Sequence, residues 1–224
     1  MIWVVGDIHN DYASFKQLIN IIEERDKEYS LYLLGDIFDR SDYGDVAKPL
    51  ELYFAILDLN ERQKRICCLR GNHEKLLSEY INLFYGTPEK KRGKLGKYRY
   101  NTFGLLNSRL TEWDLLELAN TISKWSIQEE VCVNGINYLL AHARTSNPEI
   151  QEQDEYYLSG GYNLETFFKE GVDGYISIVG HTPTKNGDVW VNEKKNVIML
   201  DTGCGFRSGK LSCICIDTGE VYQV

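Results

Sequence analysis

The chain has no apolar run near the roughly 20 residues that a membrane-spanning helix needs, so no such segment is expected. Its first residues, Met1-Ile2-Trp3-Val4-Val5, show no basic lead and no small-residue cleavage site, the reading expected of a cytoplasmic protein. Basic charge is not in excess either. The formal charge is −8 and the pI about 5.1, which argues against broad nucleic-acid binding, where Lys and Arg must neutralise phosphates. Phosphate substrates stay open, because bound divalent cations reverse a local field. No CxxC pair exists among Cys67, Cys68, Cys132, Cys204, Cys213 and Cys215. All six lie in or beside apolar runs and read as small buried hydrophobes in a reducing compartment rather than as a zinc site or disulfides. Repeats, low-complexity tracts and interdomain linkers are absent, so residues 1–224 read as a single domain.

What is present is an alternation of strand and helix patterns. Ile2–Val5, Leu31–Leu34 and Ile66–Leu69 read as buried strands, and Tyr12–Glu24, Val46–Leu59 and Lys75–Tyr85 as helices with apolar residues at helical spacing. That βαβαβ order predicts parallel neighbours with right-handed crossovers. Residues 86–107 break the pattern with five glycines or prolines and a basic run, Lys90 to Arg99, and read as a lid-like surface excursion. The run is either a rim that recruits phosphorylated substrates or a solvated loop. Thr111 N-caps a short helix over Thr111–Thr121. Asn134-Gly135 between two apolar runs predicts a hairpin. A helix over Leu164–Lys169 and strands at Tyr175–Val179, Val189–Val191, Val197–Leu200, Leu211–Ile216 and Val221–Val224 complete the pattern.

Five short motifs follow five of these strands directly: Gly6-Asp7-Ile8-His9, Gly35-Asp36-Ile37-Phe38-Asp39-Arg40, Arg70-Gly71-Asn72-His73-Glu74, His142-Ala143-Arg144 and Gly180-His181-Thr182-Pro183. Ligands of open α/β sheets bind beyond the carboxyl ends of strands, so the motifs are expected to converge. Carboxylate, imidazole and amide oxygen form a mixed donor set suited to Mn, Fe, Zn or similar ions. Asp7, His9, Asp36, Asn72, His142 and His181 are too many for one catalytic zinc and suit two ions sharing a carboxylate. Two ions about 3.5–4 Å apart clamp phosphoryl oxygens and activate a shared water. The chain has only four histidines, and all four fall in the motifs.

Taken in order, these motifs, with Leu200-Asp201-Thr202-Gly203 after the last, resemble the calcineurin-like metallophosphoesterases over residues 1 to about 207. The nearest branch holds the lambda-phage-type bacterial protein phosphatases and the related diadenosine tetraphosphate hydrolases. The resemblance implies a four-layer α/β/β/α sandwich of two mixed sheets flanked by helices. It implies a first metal on Asp7, His9 and Asp36, with Asp36 bridging to a second on Asn72, His142 and His181. The ions would most often be Mn, with Fe, Zn or Ni as alternatives. It implies attack by a hydroxide bridging the ions, His73 as general acid, Asp39 orienting His73, and Arg40 and Asn72 on the phosphate. Arg70 is expected to be structural; Glu74 receives no firm role.

Two positions depart from the family pattern. Asn10 replaces a glycine; asparagine is the non-glycine residue best suited to left-handed backbone. The family's second phosphate-binding arginine is not where it is expected, leaving Arg144, Arg207, the basic excursion or nothing in its place. The leading expectation is a phosphomonoesterase acting on phosphoserine or phosphothreonine, and on phosphotyrosine, in proteins or small phosphate esters. The alternatives are hydrolysis of dinucleoside polyphosphates or cyclic phosphodiesters, for which Tyr85, Tyr98, Tyr100, Tyr156 and Tyr157 could stack a base, and a non-catalytic metal-binding scaffold.

Overall fold

The computed structural model describes residues 1–39, 47–63 and 65–224, with Gln63 described in its backbone alone. In chain order the elements are β1 (Ile2–Val5), α1 (Tyr12–Arg25), β2 (Ser30–Leu33), α2 (Pro49–Gln63), β3 (Ile66–Cys68), α3 (Asn72–Gly86), α4 (Glu89–Arg92), α5 (Thr102–Asn107) and α6 (Glu112–Ser123). They continue with β4 (Gln128–Val133), β5 (Ile136–Ala141), α7 (Asp154–Ser159), α8 (Leu164–Glu170), β6 (Ile176–Val179), β7 (Trp190–Val191), β8 (Val197–Met199), β9 (Ser212–Cys215) and β10 (Val221–Gln223).

The strands form two five-stranded sheets, ordered β10-β9-β1-β2-β3 and β4-β5-β6-β8-β7. Both are mixed. β1, β2 and β3 are parallel neighbours, as the βαβαβ pattern requires, while β9 runs antiparallel to β1. In the second sheet β5, β6 and β8 are parallel, and β4 and β7 pair antiparallel at the edges. Period-two alternation explains the layers. On β1, Trp3 and Val5 pack with residues of α1, α2, α3, α5 and α6. Val4 turns the other way and packs with Tyr138, Leu140 and Ile178 of the second sheet. Both faces of β1 are thus covered, which is why Ile2–Val5 reads as an unbroken apolar run. Phe167 of α8 covers the outer face of the second sheet at Val179, Val197 and Met199. Helix, sheet, sheet, helix is the expected four-layer order, with five helices against one sheet and a thin cover on the other.

Local signals placed most elements within a few residues. Asn134 and Gly135 turn the β4–β5 hairpin with φ of 53° and 79°, both left-handed, and Thr111 caps α6 by accepting from the Asp114 amide. The helix expected over Val46–Leu59 starts at Pro49; Val46 lies outside the described residues. The helix expected from Lys75 starts three residues earlier, at Asn72, which brings Asn72 and His73 into its first turn. α7 has no counterpart in the pattern reading, because its six residues show less than two turns of periodicity.

The excursion at 86–107 holds α4 and α5 and packs on α3. Tyr80 lies 4.9 Å from both Tyr98 and Phe103, and Phe84 5.0 Å from Phe103, ring to ring. The six cysteines are free. Cys204, Cys213 and Cys215 are buried, but Cys132 is exposed on edge strand β4, so burial is not common to all of them.

Candidate metal and phosphate site

Each motif sits where a strand ends. Asp7 and His9 follow β1, Asp36 follows β2, His142 follows β5 and His181 follows β6, while Asn72 and His73 open α3 after β3. The loops interlock. The amides of Ile8 and His9 both donate to the Asp36 carbonyl, at 3.1 and 2.9 Å, and the Gly180 amide donates to the His142 carbonyl at 2.7 Å. The two sheets meet through the site: the His181 amide donates to both Asp7 carboxylate oxygens at 3.1 Å.

Two glycines are there because side chains approach them. A Cβ on Gly180 would lie 2.0 Å from Asp7 Oδ1, and one on Gly71 2.3 Å from Asp36 Oδ1. Among the described residues eight non-glycine residues have left-handed φ, and five of them are His9, Asn10, Asp36, Asp39 and His181. Such backbone costs on the order of 1–3 kcal/mol per residue and persists where surrounding structure dictates it. Asn10, at φ 64°, takes the turn that the family gives to glycine. Its side-chain Nδ2 donates to Thr102 Oγ1 at 2.8 Å.

Asp36 is the hub. It is 1% exposed. Its Oδ1 accepts from the His73 amide at 3.0 Å, at the positive end of α3. Oδ1 also lies 3.3 Å from His142 Nε2, while Oδ2 lies 3.7 Å from His73 Nε2 and 3.9 Å from His9 Nε2. Asp7 Oδ2 lies 3.7 Å from His9 Nε2. On the other side Asn72 Oδ1 lies 3.0 Å from His142 Nε2 and 2.9 Å from His181 Nδ1. Asp36 therefore belongs to two groups whose ligand atoms lie within 4.8 Å of one another: one with His9 and His73, the other with His142 and His181.

The donor chemistry fits cations. His142 Nδ1 donates to the Leu34 carbonyl at 3.0 Å, which leaves Nε2 as the lone-pair nitrogen of the neutral ring. That nitrogen faces Asp36 and Asn72 oxygens. Among the described residues no hydrogen-bond donor reaches buried Asp36 Oδ2. Burial penalises charge on His142, but Asp36 outweighs that and pushes the imidazole up to about 10. Burial, and then Asp201, push Asp7 well above the usual carboxylate range. Burial and Asp36 push Glu74 up to about 7. These shifts share one meaning: buried negative charge exceeds the positive charge at hand, and protons make up the deficit. Divalent cations would meet the same deficit.

His73 is 2% exposed. Its Nδ1 faces Asp39 Oδ2 at 3.2 Å. Burial lowers its pKa, but Asp39 and Asp36 more than offset this, so the imidazolium is favoured above the ordinary histidine range. Asp39 Oδ2 also accepts from the Tyr98 hydroxyl, and Burial and Asp39 raise Tyr98 far above its usual range. The Tyr100 ring lies 4.9 Å from the His73 ring.

Other positions find different places. Arg40 lies outside the described residues. Arg144 is engaged by backbone: its Nη1 donates to the carbonyls of Gly160 at 3.3 Å and Tyr162 at 2.6 Å. Its guanidinium lies 4.1 Å from the Tyr156 ring centre. Arg207 is exposed. Arg70 donates to the Ser123 carbonyl and to Asp154, joining the ends of α6 and α7. Within the basic run, Arg92 packs on Phe84 and Tyr85 and donates to the Thr87 carbonyl, while Lys90, Lys91, Lys94, Lys97 and Arg99 are exposed.

Two roles escaped the sequence reading. Glu74 accepts four backbone hydrogen bonds, from Asp36 (2.7 Å), Gly71 (2.9 Å), Ile37 (2.9 Å) and Phe38 (3.1 Å), and so shapes the loop that carries Asp36. Asp201, 1% exposed after β8, raises Asp7 and accepts from the Gly203 amide. The strand-end rule that singles out the five motifs would have singled out Asp201 as well.

Known proteins bear on this arrangement. Over 84 residues the chain is 37% identical to a Caenorhabditis elegans protein provisionally named a serine/threonine-protein phosphatase; that stretch is 37% of this chain and about a fifth (21%) of the relative's length. Among solved structures, a provisionally named diadenosine tetraphosphatase superposes with a TM-score of 0.62 at 16% identity, covering 100% of this chain and 92% of the other. A metallophosphoesterase from Sphaerobacter thermophilus superposes with a TM-score of 0.55 at 15% identity, covering 100% and 87%. These two share the fold. Residues 1–206 match the calcineurin-like phosphoesterase family as a whole, and the chain belongs to that family.

Proposed function

We propose that the chain is a metal-dependent phosphomonoesterase that hydrolyses phosphoserine and phosphothreonine, and also phosphotyrosine, in proteins. The observation that carries this reading is Asp36 shared between two donor groups, with the Asp39–His73 pair beside it. Asp7, His9 and Asp36 would hold one ion, and Asp36, Asn72, His142 and His181 the other. Bound there, two divalent ions, manganese before iron, zinc or nickel, would supply charge neutralisation at the phosphoryl group and activation of water. His73, its Nδ1 engaged by Asp39, holds a proton on Nε2 for the departing oxygen. Asn72 and Arg40 would contact the phosphate. Identity to a serine/threonine-phosphatase-like relative supports the protein substrate. Three of the five tyrosines that could stack a nucleobase are engaged elsewhere: Tyr85 with Asn107, Tyr156 under Arg144, and Tyr157 buried with its hydroxyl on Ser146. We place the protein in the cytoplasm, as one domain.

The test is an assay of the manganese-loaded protein on p-nitrophenyl phosphate, its bis-ester, phosphopeptides and diadenosine tetraphosphate. Faster turnover of monoesters and phosphopeptides is expected. Preference for the dinucleotide or the bis-ester would move the protein to nucleotide hydrolysis, and no turnover with metal bound would favour a scaffold.

A further inference from the structure

Residues 98, 100 and 102, spaced by two, turn toward the site while Arg99 and Asn101 face solvent. Tyr98 donates its hydroxyl proton to Asp39 Oδ2, the same oxygen that faces His73 Nδ1. Tyr100 lays its ring against His73. Thr102 Oγ1 accepts from Asn10, next to His9. None of these contacts could be read from the motifs, because the segment lies in the excursion that interrupts the strand–helix alternation.

The segment is anchored on the helix that carries His73. The Tyr98 ring packs 4.9 Å from Tyr80 of α3, and the Tyr80 hydroxyl donates to the Gly96 carbonyl at 3.1 Å. Tyr98 and His73 therefore share one support. Asp39 is 0% exposed and sits at a left-handed φ of 69°, so its backbone does not rest in a broad minimum. Among the described residues its buried Oδ1 has no hydrogen-bond partner, so the contacts that fix the carboxylate fall on Oδ2. Oδ2 is held from two sides, by the imidazole and by the phenol.

We propose that Tyr98 is a positioning residue for the Asp39–His73 pair: its hydroxyl fixes the Asp39 carboxylate, and through it the direction in which His73 presents its Nε2 proton. The inference rests on His73 being the proton donor of the reading above. Among the described residues Tyr98 contacts Asp39, Tyr80 and Tyr100, none of them a candidate metal ligand, so its loss acts on proton delivery. The damage grows with the leaving group's need for a proton. Loss of such a supporting partner typically costs roughly 10-fold to 100-fold.

The experiment compares Tyr98→Phe, Asp39→Asn, the double variant, His73→Ala and the unsubstituted protein, all manganese-loaded, on phenyl phosphate and p-nitrophenyl phosphate. Thermal unfolding and bound manganese are measured for each. For Tyr98→Phe the expected result is a kcat lowered roughly 10-fold on phenyl phosphate, a much smaller loss on p-nitrophenyl phosphate, and KM and manganese content unchanged. The double variant should match Asp39→Asn alone. Equal losses on both esters, no loss on either, or losses that add in the double variant would overturn the proposal while leaving His73 in its role. If His73→Ala itself shows no leaving-group dependence, the acid assignment falls, and the Tyr98 proposal falls with it.

Discussion

Glu74 reaches from the first turn of α3 to the loop after β2 and accepts the Asp36 amide at 2.7 Å, so a residue in one motif fixes the backbone of the central carboxylate in another. Its second oxygen takes the amides of Ile37 and Phe38. Replacing it by alanine strands four buried N–H groups, each costing about 1–3 kcal/mol if no water replaces the carboxylate. Glu74→Ala is expected to lose about 3–5 kcal/mol in denaturant unfolding. Glu74→Gln keeps the shape but aims an NH₂ at two of the four donors, and is expected to fall between. A loss under about 1 kcal/mol for alanine would show that the loop holds its shape without Glu74.

Asn10 separates conformation from contact. At φ 64° any Cβ pays for left-handed backbone, about 1–2 kcal/mol. Asn10→Gly relieves that cost and loses the bond to Thr102, worth about 0.5–1.5 kcal/mol, so stability should stay nearly unchanged. Asn10→Ala loses the bond and keeps the strain, and should be less stable than the glycine variant by about 1–2 kcal/mol. Thermal unfolding of the pair measures the difference directly.

Arg144 distinguishes a structural clasp from a phosphate clamp. Its contacts are the Gly160 and Tyr162 carbonyls and the Tyr156 ring. Arg144→Ala is expected to lower stability by about 1–3 kcal/mol while KM for p-nitrophenyl phosphate changes less than about threefold. A KM rise of about tenfold or more with stability unchanged would restore the clamp.

The His73 shift fixes the sign of a pH effect. Asp39 and Asp36 favour the imidazolium beyond what burial costs, so the folded-state pKa lies above the ordinary value of 6.5. In the proposed role of proton donor, His73 would carry its proton below that raised pKa and lose it as pH rises through it. On poor leaving groups kcat should fall on the alkaline side of pH 6.5, and Asp39→Asn should move that limb to lower pH. The limb should be missing in His73→Ala, whose kcat is expected to be lower by roughly 10²–10⁴. A limb that stays put in both variants would belong to another group.

The parts of the fold that are written locally were legible in the sequence. Apolar period, the Thr111 cap and Asn134-Gly135 depend on neighbours in the chain, and they placed the parallel βαβαβ half and the β4–β5 hairpin. The strand-end position of Asp7, Asp36, His142 and His181 follows from the same patterns. What stayed hidden is tertiary. Glu74 is a polar helix residue until the β2 loop lies against it. Tyr98 is one of 15 tyrosines until the excursion folds back onto Asp39. Arg144 beside a histidine motif looks like a ligand-binding arginine, and its contacts with the turn after α7 are visible only in the fold.

The central claim is that Asp36 is shared by two ions at a hydrolytic site, and metal stoichiometry read together with turnover tests it most directly. The protein is stripped, reloaded with manganese and assayed on p-nitrophenyl phosphate, unsubstituted and as Asp36→Asn. The account predicts two ions per chain and turnover for the unsubstituted protein. It predicts at most one ion and at least a 100-fold loss of turnover for Asp36→Asn, more than an outer partner's roughly 10–100-fold. Two ions and undiminished turnover in Asp36→Asn would contradict it.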